Sequence, residues 1–179
     1  MKSIYKNIVI AFSLAGCFTL ASASDLIGTA ESIKGGLALE VGFANDGGKK
    51  VSGIQFDIKL DSKATGSFEN ADLSSCLSGL PKAFSASSCT VIDESTLRVV
   101  ILSMSGDIIP STILGTISLP GNSGQSLMAG APGAIKFGNV VMGDAAGGRI
   151  EPGLVDFSSN LAARDDFKGQ KREFIRPGN

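Results

Sequence analysis

The chain has no histidine and no tryptophan, and its single tyrosine is Tyr5. Aromatic residues make up 6% of the 179 residues, and charged residues 18%. Without histidine, the side chain that most readily exchanges a proton near neutral pH is missing. So are the usual activator of a serine or cysteine nucleophile and the commonest metal ligand. Charge of either sign is in short supply as a signal, with 16 Lys and Arg against 17 Asp and Glu. No basic patch points to nucleic acid or to an anionic membrane surface. A glycosidase could work without histidine, but it needs two carboxylates placed across a cleft. The adjacent pair Asp165-Asp166 points in opposite directions on an extended segment and reads as solvated.

The first residues read as a secretory signal. Lys2 and Lys6 are the positive start, Ile8 to Leu20 the apolar stretch, and Ala21-Ser22-Ala23 a small-x-small cleavage site. The apolar stretch is too short and too rich in Ser and Gly to span a membrane. Cleavage there makes residues 1–23 the signal peptide and Ser24 the first mature residue. A second reading stays open. Leu14-Ala15-Gly16-Cys17 resembles a lipobox, in which Cys17 would be lipidated and anchor the chain. Either cut removes Tyr5, so the mature chain has no His, Trp or Tyr, and it carries 14 Lys and Arg against 17 Asp and Glu. Localisation is accordingly secreted, periplasmic or cell-surface. Apart from Cys17 two cysteines remain, Cys76 and Cys89. An even pair in an exported chain reads as a disulfide.

Glycine is plentiful at 23 residues, and the remaining pattern is one of short strands and turns. Leu37, Leu39, Val41 and Phe43 alternate with small or polar residues, the period-two signature of a half-buried strand. Asn45-Asp46-Gly47-Gly48 follows as a turn, and its lone carboxylate is far short of a calcium shell. Ile54, Phe56, Ile58 and Leu60 alternate with Gln55, Asp57 and Lys59. Asp93-Glu94-Ser95 separates Cys89–Ile92 from Leu97–Met104, the second nearly continuously apolar and expected to be a central strand covered on both faces. Further strands are expected over Ile113–Leu119, Ala134–Met142 and Ile150–Phe157, the last broken at Pro152-Gly153. Leu26–Ile33 is expected to supply an edge strand, and Ala71–Leu80 a short helical turn before Pro81. The Gly143–Gly148 segment reads as a loop, and residues 161–179 as a charged flexible tail. No helical pattern is long enough for βαβ crossovers. The expectation is an all-β sandwich as a single domain over residues 24–160.

Three stretches together resemble the cohesin family. Val51-Ser52-Gly53-Ile54-Gln55-Phe56-Asp57-Ile58-Lys59-Leu60-Asp61 is similar to the family's Gly-x-x-Phe-x-hydrophobic-x-Tyr-Asp strand, with Leu60 where tyrosine is usual. Leu97 to Leu119 holds a strand, a Ser105-Gly106 turn and the strand Ile113-Leu114-Gly115-Thr116-Ile117 in the family's order. Ala134 to Ile150 resembles the late strand and its Asp-x-x-Gly loop. The resemblance runs from about Leu26 to Phe157 and implies a jelly-roll β-sandwich of about nine strands. It also implies a non-catalytic module that recognises an extracellular protein, a dockerin-like module or a cell-surface assembly. The sequence departs from cellulosomal cohesins where those carry Asn-x-Asp for dockerin contact, since Gly53 and Gln55 stand there.

On this basis Gln55, Asp57 and Lys59 are the candidate partner-binding residues. A solvated strand face would show the same three. No catalytic residue, metal ligand or cofactor is expected. The alternative is a carbohydrate-binding module linked to polysaccharide degradation. Sugar rings usually stack on Trp or Tyr, which the mature chain lacks, and most phenylalanines fall in the apolar phase of strand patterns.

Overall fold

The computed structural model describes residues 24–33, 35–45, 48–60, 67–120, 134–157, 167, 169 and 170. The proposed signal, Cys17, Asp46 and the Asp165-Asp166 pair lie outside the described residues.

Among the described residues nine strands form: β1 (Ser24–Ile33), β2 (Gly36–Asn45), β3 (Gly53–Leu60), β4 (Ser88–Asp93), β5 (Thr96–Leu102), β6 (Thr112–Pro120), β7 (Ile135–Gly143), β8 (Arg149–Ile150) and β9 (Val155–Asp156). They build two sheets, one of four strands in the order β6-β2-β1-β9 and one of five in the order β4-β5-β3-β7-β8. All pairings are antiparallel except β1 with β9. The fold is the expected jelly-roll sandwich. Alternation explains it directly, because period two sends one set of side chains from each sheet into a shared interior. Leu37, Leu39, Val41 and Phe43 of β2 meet Ile54, Phe56 and Ile58 of β3 and Leu97, Val99 and Ile101 of β5, all buried. Burying each such side chain contributes about 1.5–3 kcal/mol. Gly35, at φ 87°, makes the tight turn between β1 and β2 that a side chain would strain.

Four local expectations change. β1 is not an edge strand, because β9 pairs alongside it as a two-residue parallel strand. Pro152-Gly153 breaks the last run into two pieces that join opposite sheets, which a linear pattern does not show. β2 is buried along both faces rather than half-buried, with Ala38 and Glu40 each 1% exposed. β5 is half-buried rather than covered on both faces, since Leu102 is 45% exposed. Its apolar outward residues suggested burial that the neighbouring strands do not supply.

The region before Pro81 forms successive turns, and a 3-10 turn follows at Lys82–Phe84. Residues 72–79 run along the free edge of β6. Asp72 and Ser118 exchange backbone hydrogen bonds of 2.8 and 3.1 Å, the Thr116 N–H donates to the Ser75 carbonyl at 3.0 Å, and the Gly79 N–H donates to the Leu114 carbonyl at 3.0 Å. This approach needs glycine at 115, because a Cβ there would lie 2.1 Å from the Ser75 carbonyl oxygen. Cys76 in this segment is bonded to Cys89 on β4, with Cα atoms 6.6 Å apart. The disulfide expected from the cysteine count therefore ties the β6 side of one sheet to the edge strand of the other.

Candidate functional site

The five-stranded sheet presents a broad outer face, and β3 runs through its middle. Because Ile54, Phe56, Ile58 and Leu60 point into the core, Gln55, Asp57 and Lys59 share the outer face. Register then fixes their neighbours. Gln55 lies between Val100 of β5 and Val141 of β7, and Lys59 between Thr96 and Lys136. Asp57 pairs with Arg98 on one side. On the other, a bulge between Gln55 and Asp57 disturbs the register with β7. In the disturbed stretch Asn139 takes a positive φ of 50°, a conformation that asparagine tolerates better than most residues.

That bulge turns the Asn139 amide onto Asp57. Arg98 Nε donates to one Asp57 carboxylate oxygen at 2.8 Å and its Nη2 to the other at 3.1 Å. Asn139 Nδ2 donates to the same second oxygen. Asp57 is consequently only 1% exposed in the middle of an outward face. The Arg98 hydrogen bond holds its carboxyl below the usual carboxylate range, burial opposes this, and Asn139 and Lys59 reinforce it. The three residues read from the sequence thus differ in kind. Asp57 is the floor of the site, already spent on its neighbours, while Gln55 and Lys59 stay half-buried and reachable.

Toward the Gly53 end of β3 the same face carries apolar side chains that sequence reasoning missed. Leu102 is 45% exposed and Val141 47%. Leu102 lies over Gly53, where a Cβ would approach its tip to 3.3 Å. In the loop after β5, Met104 and Ile108 are also exposed. In the sequence these residues blend into apolar strand runs. Their phase relative to Phe56 and Val99 was the available signal, since an apolar residue in the outward phase has no core to enter.

No phenylalanine joins this face among the described residues. Phe56, Phe137 and Phe157 stack instead in the interior, with ring centroids 5.5 and 4.8 Å apart. The Gly143–Gly148 loop is a turn organised by Asp144, whose carboxylate accepts the N–H groups of Ala146 and Gly148 at 2.9 and 2.7 Å. Among the described residues, no three Cys, Asp or Glu side chains converge to hold a metal, and no helix is long and apolar enough to cross a membrane.

No protein-family model matches the chain, and no curated protein matches it in sequence. Solved structures do match. The sixth cohesin of scaffoldin B from Acetivibrio cellulolyticus, solved in complex with a Cel5 dockerin mutant, aligns with a TM-score of 0.54 at 15% identity, over 77% of this chain and 100% of that one. The non-cellulosomal cohesin of the archaeon Archaeoglobus fulgidus gives 0.49 at 14% identity, over 76% and 87%. The second type II cohesin module of the ScaA scaffoldin of Acetivibrio cellulolyticus gives 0.49 at 13% identity, over 78% and 95%. At such identities the likeness concerns architecture, and with the first of these structures it is decisive on that point: this chain has a cohesin-like fold.

Proposed function

We propose that the protein is a non-catalytic, exported binding module that recognises another extracellular protein through the outer face of its five-stranded sheet. The observation that carries this reading is the composition of that face. A locked polar centre, Asp57–Arg98–Asn139, shares the face with exposed Val141 and Leu102, which lie toward the Gly53 end of β3. A rigid, neutralised centre beside desolvatable apolar side chains suits a protein surface, where a few buried anchors supply most of the affinity. Among the described residues the same face shows no exposed aromatic ring for stacking a sugar, which favours a protein over a polysaccharide. The solved cohesin in complex with a dockerin supports a dockerin-like or related partner module. Export rests on the signal-like residues 1–23 and on the Cys76–Cys89 disulfide, which persists in oxidising compartments. In this reading residues 24–160 form the module, free or held at a membrane through Cys17.

The test is capture of secreted proteins of the source organism on the immobilised mature domain, compared with capture by Leu102→Asp and Val141→Asp variants. Both sites are exposed, so the variants keep the wild-type melting temperature. Loss of two apolar anchors weakens a captured partner by about 30-fold or more. Retention on a soluble polysaccharide with no protein captured would overturn the reading.

A further inference from the structure

The outer face of the five-stranded sheet changes character along β3. At the Gly53 end its outward residues are apolar: Val100 and Val141 flank Gln55, and Leu102 pairs with Gly53. At the Leu60 end they are cationic. Register sets Lys59 directly opposite Lys136, and Arg98 opposite Asp57. The four residues from Gln55 to Lys59 separate the two ends by about 13 Å.

Asp57 neutralises Arg98 through both carboxylate oxygens, which leaves the two lysines. Like charges directly opposite in an antiparallel pair destabilise it. Neither lysine forms an ion pair among the described residues. Asp93, opposite Thr96 on the edge strand, is committed to its own turn, where it accepts the Ser95 N–H at 2.8 Å and the Ser95 hydroxyl at 2.9 Å. Lys59 is also held in place. Its stem crosses β7 over Gly138, where a Cβ would come within 3.1 Å of Cε and 3.5 Å of Nζ. Glycine at 138 gives the lysine its seat, so the ammonium rests close to the sheet, half-buried, beside exposed Lys136. This concentration of positive charge runs against the balance of residues 24–179, which carry 14 Lys and Arg against 17 Asp and Glu.

We propose that Lys59 and Lys136 are the orienting pole of the binding face and take a pair of carboxylates on an acidic protein segment, an inference that rests on reading this face as a protein-binding surface. The partner's Asp or Glu side chains meet the lysines, while its apolar side chains cover Leu102 and Val141 about 13 Å away. Charge at one end and apolar contact at the other fix one direction of docking, because the reversed orientation would bury two ammonium groups against apolar side chains. Repulsion that the free domain tolerates becomes attraction to the partner.

NMR titration of the full mature chain with poly-L-glutamate at low salt tests the pole directly. Amide shifts are expected at Lys59, Lys136 and Gly138. Half-saturation rises at least about 5-fold in Lys59→Gln with Lys136→Gln and returns in Lys59→Arg with Lys136→Arg. The glutamine variant keeps its other β3 and β5 shifts, showing that the sheet is intact. If it does not fold, the wild-type shifts at the two lysines against those at Lys82, outside both sheets, decide alone. Shifts that are absent, no larger than at Lys82, or unchanged in the glutamine variant overturn the proposal. Polygalacturonate bound in preference to polyglutamate assigns the lysines to an acidic polysaccharide and also overturns it. In the capture experiment the glutamine variant recovers at least about 5-fold less partner. Capture that survives in this variant but is lost with Leu102→Asp and Val141→Asp keeps the face and overturns the pole. Capture of no protein by the wild type refutes the face, and the pole with it.

Discussion

Replacing Arg98 with leucine removes the main counter-charge from a carboxylate that the fold keeps dry. The Asp57 side chain is 2% exposed and that of Arg98 38%. Leucine keeps the bulk of the side-chain stem and deletes both guanidinium hydrogen bonds, leaving only Asn139 on the carboxylate. Truncating one partner of a fully buried pair costs about 3–5 kcal/mol. Here Arg98 is more than a third exposed, so water partly replaces it and the expected loss is about 2–3 kcal/mol. For a domain of this size that lowers the melting temperature by roughly 10 °C. The pH dependence is the sharper part. The Asp57 pKa is depressed in the folded state, so its stabilising contribution is complete above the ordinary carboxylate value of about 3.9 and is lost as pH falls through the folded value. The gap between wild type and Arg98→Leu is therefore widest near neutrality and closes below about pH 4. Urea denaturation at a series of pH values measures it. A gap under about 0.5 kcal/mol at pH 7, or one unchanged between pH 7 and pH 3, would refute the account of this site.

The Cys76→Ala, Cys89→Ala double variant loses about 3 kcal/mol in the same denaturation assay, the chain-entropy value for a short closed loop, and the unreduced wild type takes up no alkylating reagent at either cysteine. Gly115→Ala forces a methyl against the Ser75 and Cys76 carbonyls, at 2.1 and 2.3 Å from their oxygens. It costs about 3 kcal/mol by pushing residues 72–79 off β6. Gly53→Ala, which meets the tip of Leu102 at 3.3 Å and the Ile101 carbonyl oxygen at an ordinary 3.6 Å, stays within about 0.5 kcal/mol of the wild type.

Several features follow from the chain's linear order alone. The absence of His and Trp, and of Tyr beyond position 5, limits the chemistry of residues 24–179 whatever their shape. Period-two alternation in β2 and β3 identified the strands and assigned Gln55, Asp57 and Lys59 to one face, because the side-chain direction of a strand is local geometry. The cysteine count identified the disulfide for a similar reason, since two cysteines allow one pairing. Tertiary structure decided everything that depends on which strands lie side by side. Asp57 reads as one of three solvent-facing residues until Arg98, 41 positions away, and Asn139, 82 positions away, close over it. The bulge that aims Asn139 exists only in the pairing of β7 with β3. Leu102 and Val141 read as strand interior until the sheet order leaves their side uncovered. Glu40 falls in the outward phase of β2, yet it is buried, on the face where Phe167 packs against Ile27 and Ala44. Burial is a property of neighbours distant in sequence, whereas alternation is a property of the strand itself, and the division between the two in this protein follows that line.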